Sequence, residues 1–365
     1  MKQFLIRVIV PAVLIISLGA WVIPAQAQPK AQGDDPVARG KYLATVAGCE
    51  DCHTPIDERG LSVAGREFAG GYPFPLGPLG TVFTKNLTPD KETGLGNWTD
   101  DEIKRAIRSG VSRDGLHLFP VMPYKIYNNM AESDINDIIA YLRSLKPINN
   151  PVERKQILPV EALPEVPVQS GIVAPAPTDT AARGRYLIGA VIACTDCHTP
   201  IDSNTGQPIM EKYLAGGQPY EGPWGIVYSA NLTPDEKTGL KRRTDAEISR
   251  VLHEGILVPD DPARPNQGRR AILMPWRPFS NLTEDDTKAV IHFLRNDLKP
   301  VENLVPAASL KPDFIEYVAV ETPTLPATVT SSPIGMIIGV IVVVVFGAAV
   351  VYYLMRRQSN SSSTK

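Results

Sequence analysis

The sequence predicts an all-α protein made of two tandem helical domains and one C-terminal transmembrane helix. Three observations carry this: a long internal repeat, helix signals at matching places in both copies, and an uncharged apolar run near the C-terminus.

The repeat comes first. Ala38-Arg-Gly-Lys-Tyr-Leu43 returns as Ala182-Arg-Gly-Arg-Tyr-Leu187, and Cys49-Glu-Asp-Cys-His-Thr-Pro-Ile-Asp57 as Cys194-Thr-Asp-Cys-His-Thr-Pro-Ile-Asp202. Asn86-Leu-Thr-Pro-Asp90 recurs at 231–235, and Thr99-Asp-Asp-Glu-Ile103 as Thr244-Asp-Ala-Glu-Ile248. The offset from Cys49 to Cys194 is 145 residues; it grows to 152 after an insertion around Pro259–Gly268, which reads as a solvated loop. Two copies of a unit this long are two domains and not a solenoid. They read as 36–147 and 180–300. Residues 148–179 form a Pro-rich linker and 301–333 a Pro-rich tether, extended and semi-rigid or laid against the domains as ordered coil.

Within each copy the signals are helical. Residues 37–47 lead into the cysteine motif, and Thr99-x-x-Glu102 and Thr244-x-x-Glu247 are capping boxes that open short helices. Ile135, Ile138, Ile139 and Leu142 form one apolar helix face near the end of the first copy; Val290, Ile291 and Leu294 stand in register in the second. Between these helices run Gly/Pro-rich loops such as 70–97. A loop-rich core of this size needs an additional apolar mass to pack around.

The two ends read differently. Residues 1–27 carry Lys2 and Arg7, an apolar run, and Ala25-Gln26-Ala27, the pattern of a cleaved signal peptide. Ile334 to Met355 is 22 residues without a charge. As a helix it spans ~33 Å, enough for a bilayer core. Arg356 and Arg357 follow, which places the 356–365 tail on the cytoplasmic side. The expected localisation is therefore the cytoplasmic (inner) membrane, single-pass, with both domains on the periplasmic side. A net charge of −2 argues against a nucleic-acid partner.

All four cysteines lie in the two Cys-x-x-Cys-His motifs, Cys49/Cys52/His53 and Cys194/Cys197/His198. This pattern is read as covalent attachment of haem c. Two thiols three positions apart on a helical turn reach both vinyl groups of one porphyrin edge, and the adjacent histidine is directed to the iron. A thioredoxin-like pair leaves the histidine unexplained. A zinc site would have to share one metal between two self-contained copies.

For the opposite face of the iron, one methionine pair matches between copies. Met122 lies in Phe-Pro-Val-Met-Pro-Tyr and Met274 in Ile-Leu-Met-Pro-Trp. Methionine opposite histidine raises the reduction potential. Met130 and Met210 have no repeated partner and read as packing. His117, His253 and His292 are unrepeated and read as surface residues. Tyr42 with Tyr186, and Asn86 with Asn231, are repeated and read as pocket residues; the asparagines either bind propionates or cap a turn. Trp98 corresponds to Arg243, so the two pockets differ in polarity.

These segments, from Asn-Leu-Thr-Pro-Asp through Gly-Leu-His-Leu-Phe-Pro-Val-Met-Pro-Tyr, resemble a class I cytochrome c domain. The family is the multihaem cytochrome c subunits of membrane-bound gluconate, alcohol and aldehyde dehydrogenases. The resemblance implies two class I domains, each wrapped around a covalent haem, with His53/Met122 and His198/Met274 as axial pairs on iron. Members of that family pass electrons from a periplasmic dehydrogenase to quinone or a terminal oxidase. They typically have three haem domains, where this chain has two, so substrate and partner enzyme do not transfer with the resemblance. The expected function is a membrane-anchored di-haem electron carrier. Its donor would be a dehydrogenase or respiratory complex and its acceptor a cytochrome or terminal oxidase. The rival expectations are a haem enzyme such as a di-haem peroxidase, and a structural haem subunit of a respiratory complex.

Overall fold

The computed structural model describes residues 35–312, apart from 59, 156–157, 159–162, 164 and 258–269. The expected signal peptide (1–27), the expected span (334–355), the 356–365 tail and most of the insertion lie outside the described residues.

Each half opens on a helix that crosses a later helix at close range. α1, Pro36–Val46, starts where the Asp35 carboxylate accepts from Val37 N and Pro36 supplies a preset φ. It packs on α5, Glu132–Ser144. Gly40 makes the crossing possible, because a Cβ there would lie 1.8 Å from the Asp137 carbonyl oxygen. In the second half, α6 (Thr180–Tyr186) crosses α10 (Glu284–His292) in the same way, and a Cβ on Gly184 would lie 2.0 Å from the Ala289 carbonyl oxygen. α6 runs on into a π-helical turn, Leu187–Val191, and α10 into another, Phe293–Asp297. The apolar faces read from the sequence are buried, Ile135, Ile138, Ile139 and Leu142 in the first half and Val290, Ile291 and Leu294 in the second, and Leu43, Val46 and Leu187 are buried as well. Each such side chain contributes roughly 1.5–3 kcal/mol of burial.

Between the crossed helices lie three shorter helices in each half. They are α2 (Cys49–His53), α3 (Asp100–Ser109) and α4 (Tyr124–Tyr127), matched by α7 (Cys194–His198), α8 (Asp245–Glu254) and α9 (Trp276–Phe279). Both capping boxes form. Thr99 N donates to Glu102 Oε2 at 2.7 Å and Glu102 N to Thr99 Oγ1 at 3.2 Å, and Thr244 and Glu247 repeat both distances. Gly110 and Gly255 end α3 and α8 in the left-handed region.

The all-α expectation is corrected. β1 (Pro73–Pro75) pairs antiparallel with β2 (Thr81–Phe83), with Phe74 opposite Val82. β3 (Pro219–Gly222), β4 (Gly225–Tyr228) and β5 (Ser309–Leu310) form a second antiparallel sheet in the order β3-β4-β5. These strands fall in segments read from the sequence as loop. A Pro-Phe-Pro strand shows no recognisable alternation, and proline is tolerated here because both strands of a two-stranded ribbon are edges.

The expected single-pass membrane localisation is also corrected. No helix among the described residues is long and apolar enough to cross a membrane. The longest, α5, has 13 residues and carries Glu132, Asp134, Asp137 and Arg143. The fold therefore gives a C-terminal transmembrane helix no support.

The chain after each last crossed helix returns to its own half. Asn86 Nδ2 donates to the Ile148 carbonyl at 2.8 Å, and Asn150 Nδ2 to the Ala69 carbonyl at 2.8 Å. Asn231 holds Val301 at 2.8 Å, and Asn303 Nδ2 donates to Ala215 O at 3.0 Å. Farther along, Asn128 Nδ2 donates to the Pro167 carbonyl at 2.8 Å and Arg108 Nη2 to the Gln169 carbonyl at 2.5 Å.

Candidate functional site

The two cysteine motifs each occupy one helical turn entered from a left-handed residue. Gly48 precedes α2 at φ 75°, and Ala193 precedes α7 at φ 50°. Glycine adopts this region without strain; alanine there brings its Cβ close to a carbonyl. After each turn the chain doubles back, so that Gly70 N donates to the His53 carbonyl at 2.6 Å and Gly216 N to the His198 carbonyl at 2.8 Å.

That return brings a carbonyl under each imidazole. His53 Nδ1 donates to the Lys85 carbonyl at 2.7 Å, and His198 Nδ1 to the Ala230 carbonyl at 2.7 Å. A carbonyl can only accept, so each Nδ1 carries the proton and each Nε2 is left as the metal-binding nitrogen. Burial lowers the pKa of both imidazoles and favours the neutral form that a metal needs. Gly70 and Gly216 are required here. At Gly70 (φ 73°) a Cβ would lie 2.5 Å from the Lys85 carbonyl carbon, and at Gly216 (φ 68°) 2.3 Å from the Ala230 carbonyl oxygen.

Met122 and Met274 sit in tight turns that open α4 and α9. Tyr124 N donates to the Met122 carbonyl and Trp276 N to the Met274 carbonyl, each at 2.8 Å. Both methionines are half-buried and pack on the apolar core. His53 and Met122, with His198 and Met274, line one continuous cavity of about 740 Å³. Its walls are largely aliphatic, among them Leu95, Ile103 and Leu142 from the first half and Leu240, Leu252 and Leu294 from the second. Cys49, Cys52, Cys194 and Cys197 lie on the same cavity as free thiols. Burial pushes the half-buried Cys49 and Cys194 thiols up to about 12. Redox-active thiols need the opposite, a depressed pKa. Among the described residues no group of three His, Cys, Asp or Glu side chains converges as a metal site, which removes the geometry a shared zinc needs. The cavity, the committed imidazoles and the paired thiols fit covalent haem.

The remaining sequence candidates separate. Asn86 Oδ1 accepts from Thr88 N and Thr88 Oγ1, and its Nδ2 donates to Thr93 and Ile148, so it caps the turn; Asn231 repeats every bond. Met130 is a core residue at 1 % exposure, whereas Met210, read as packing, is 60 % exposed. His253 is tied to Ser280 O and Thr287 Oγ1, and is half-buried where a surface residue was expected. His117 lies on the cavity. Tyr42 and Tyr186 bond to aspartates of the opposite half. Trp98 and Arg243 both line the cavity at matching places and make its two ends unlike. The carbonyls of Lys85 and Ala230 were missed, because a backbone acceptor has no residue type. The available signal was the Ala-Gly-Gly repeated at 69–71 and 215–217.

Residues 37–146 match the Cytochrome c family model. The chain is similar to the gluconate 2-dehydrogenase cytochrome c subunit of Pantoea cypripedii, 29% identical over 302 residues, covering 78% of this chain and 64% of that protein. It is 30% identical over 243 residues to the fructose dehydrogenase cytochrome subunit of Gluconobacter japonicus, covering 64% of this chain and 47% of that one. A diheme cytochrome c-type protein of Cereibacter sphaeroides is 28% identical over 293 residues, covering 76% of this chain and 92% of the relative. The chain thus spans about half to two thirds of the length of the dehydrogenase subunits it matches. It carries a cytochrome c domain, and electron transfer by covalent haem c is the chemistry of that class.

Proposed function

We propose that this chain is a di-haem electron carrier with one haem-binding unit in 36–147 and another in 180–300. One haem would be held by thioethers to Cys49 and Cys52, with His53 and Met122 on the iron. The other would be held by Cys194 and Cys197, with His198 and Met274. The observation that carries this reading is the doubling of the histidine environment: in each half a half-buried imidazole gives its Nδ1 proton to a carbonyl at 2.7 Å, on a cavity that also holds a Met-Pro turn.

A bound haem supplies a one-electron couple. The chain supplies the rest. The Lys85 and Ala230 carbonyls hold the imidazoles in one tautomer and orientation and raise their basicity. The Met-Pro turns present sulfur from a stiffened backbone, and the aliphatic wall keeps the dielectric low. Were His53 with Met122 and His198 with Met274 to hold the two irons, no position would be left there for substrate, which favours electron transfer over peroxidase chemistry. The donor we propose is a dehydrogenase, as the names of the gluconate and fructose relatives suggest, with a cytochrome or terminal oxidase downstream.

The test is haem stoichiometry and ligation in chain matured with covalent haem. Two haems per chain are expected, falling to one in Cys49→Ser/Cys52→Ser. Met122→Ala and Met274→Ala should each remove part of the far-red methionine–ferric band. One haem in the wild type, or a band indifferent to both methionines, overturns the reading.

A further inference from the structure

The two halves meet through contacts that occur twice, with roles exchanged. Tyr42 Oη donates to Asp286 Oδ2 at 2.5 Å, and Tyr186 Oη donates to Asp134 Oδ2 at 2.8 Å. Tyr42 and Tyr186 hold the same place in the repeat, and so do Asp134 and Asp286. Each hydroxyl also accepts from the backbone N–H that begins the opposite helix: Ala131 N to Tyr186 Oη at 2.9 Å, and Thr283 N to Tyr42 Oη at 3.5 Å. Each aspartate is in turn held by an arginine of its own half. Arg39 Nη1 lies 2.6 Å from Asp134 Oδ1, and Arg183 grips Asp286 with Nε at 2.8 Å and Nη2 at 2.7 Å. Asp134 is 0 % exposed and Asp286 2 %. Such an exchange of partners is the mark of a two-fold, isologous interface, here built within one chain.

Closer to the cysteine motifs the exchange continues. Asn129, just after α4, donates from Nδ2 to the Gly189 carbonyl at 3.4 Å, in the π-helical turn that leads into the second motif, and α1, which leads into the first motif, contacts α9. A Cβ on Gly48, beside Cys49, would meet Pro278 Cγ of the second half at 3.5 Å. Tyr127 Oη, from α4, donates to the Ala47 carbonyl at 2.7 Å, two residues before Cys49. Both motifs open on the same cavity. The chain leading into each Cys-x-x-Cys-His turn therefore meets the segment that follows the methionine of the other half.

We propose that the crossed bonds Tyr42–Asp286 and Tyr186–Asp134 are positioning contacts that fix the two Cys-x-x-Cys-His turns against each other, so that an electron passes directly between the two sites within one chain. One iron is oxidised by one electron as the other is reduced, with no bond made or broken. The proposal rests on the di-haem reading. It assigns to Tyr42, Tyr186, Asp134 and Asp286 a role outside both haem pockets. The tyrosines are the residues to vary, because removing an aspartate strands a buried arginine and endangers the fold.

The experiment uses full chain loaded with both haems and poised half-reduced. Electron exchange between the sites is read from exchange broadening of haem methyl resonances at several protein concentrations. The wild type is expected to exchange at a rate independent of concentration. Tyr42→Phe/Tyr186→Phe should keep two haems, unchanged absorption spectra and unchanged potentials, while exchange slows about tenfold or more, the scale that ångström-level misplacement produces. Should that variant fail to accumulate, Tyr42→Phe alone, which removes one of the two crossed bonds, should slow exchange in the same sense. Wild-type exchange that scales with concentration overturns the proposal, as does a variant rate equal to wild type. Failure of the di-haem reading looks different: the wild type would hold fewer than two reducible haems.

Discussion

Replacing Gly70 with alanine probes how the fold aims His53. Gly70 sits at φ 73°, and a Cβ there would lie 2.5 Å from the Lys85 carbonyl carbon, 2.6 Å from Asn86 N and 2.7 Å from the Lys85 oxygen. None of these is a flexible side-chain end. The left-handed conformation costs alanine about 1–2 kcal/mol. Displacing packed backbone costs about 1–3 kcal/mol. The displaced carbonyl is the acceptor for His53 Nδ1, and weakening that bond costs about 0.5–1.5 kcal/mol. Gly70→Ala should therefore destabilise by about 3–6 kcal/mol. The control is Gly65→Ala: φ is similar at 75°, but nothing lies within 4 Å, so only the conformational cost of about 1–2 kcal/mol applies. Thermal unfolding of the haem-loaded chain followed by circular dichroism measures both. Gly70→Ala should lower Tm by roughly 10 °C and Gly65→Ala by a few degrees. If the two variants unfold together, the close approach at Gly70 does not constrain the carbonyl, and the account of how His53 is aimed fails.

Three further outcomes are expected. Ala193→Gly should stabilise by about 0.5–1 kcal/mol, because it relieves a left-handed alanine at φ 50° more than it loosens the unfolded chain; chemical denaturation reads this directly. Gly40→Ala and Gly184→Ala should each destabilise by about 1–3 kcal/mol despite alanine's helix preference, whereas Gly189→Ala, with open space at its Cβ, should not. Hydrogen bonds from Thr93 and Thr238 hold the Asp90 and Asp235 carboxyls below the usual carboxylate range, and the Thr99 and Thr244 backbones do the same for Glu102 and Glu247. A depressed folded-state pKa gives stability that is present above the unfolded value and lost as pH falls through the folded one. Urea midpoints should therefore fall as pH drops below the ordinary carboxylate range, and less steeply in Asp90→Asn/Asp235→Asn.

Helix starts, core faces and the repeat were legible because each is written in local residue types: Thr99 and Glu102, Ile135 and Ile138, the paired Ala-Arg-Gly segments. The strands were not, since three residues such as Pro73–Pro75 are too few to show a period of two. The candidate cleft was legible in its cysteines, histidines and Met-Pro turns, and illegible where the backbone acts. The Lys85 carbonyl serves His53 although its own ammonium points elsewhere, to Glu153. Tyr42 and Tyr186 were visible as a repeated pair, but repetition alone does not reveal that each reaches across to the other half. The apolar run at 334–355 read as a span on composition, and no described helix carries that length or character.

The return of the chain after each last helix has a practical consequence for dissecting the molecule. Cutting at Pro147 would strip Asn86 and Thr88 of Ile148, Ala69 of Asn150, and Asn128 and Arg108 of the carbonyls at 167 and 169. Cutting at Pro300 would do the same to Asn231, Ala215 and the β4 edge. A duplication recognised by alignment ends where similarity ends, but the folding module ends where its last hydrogen bond closes. Fragments meant to carry one haem each should therefore be designed to the second boundary, at least twenty residues beyond the first in one half and ten in the other.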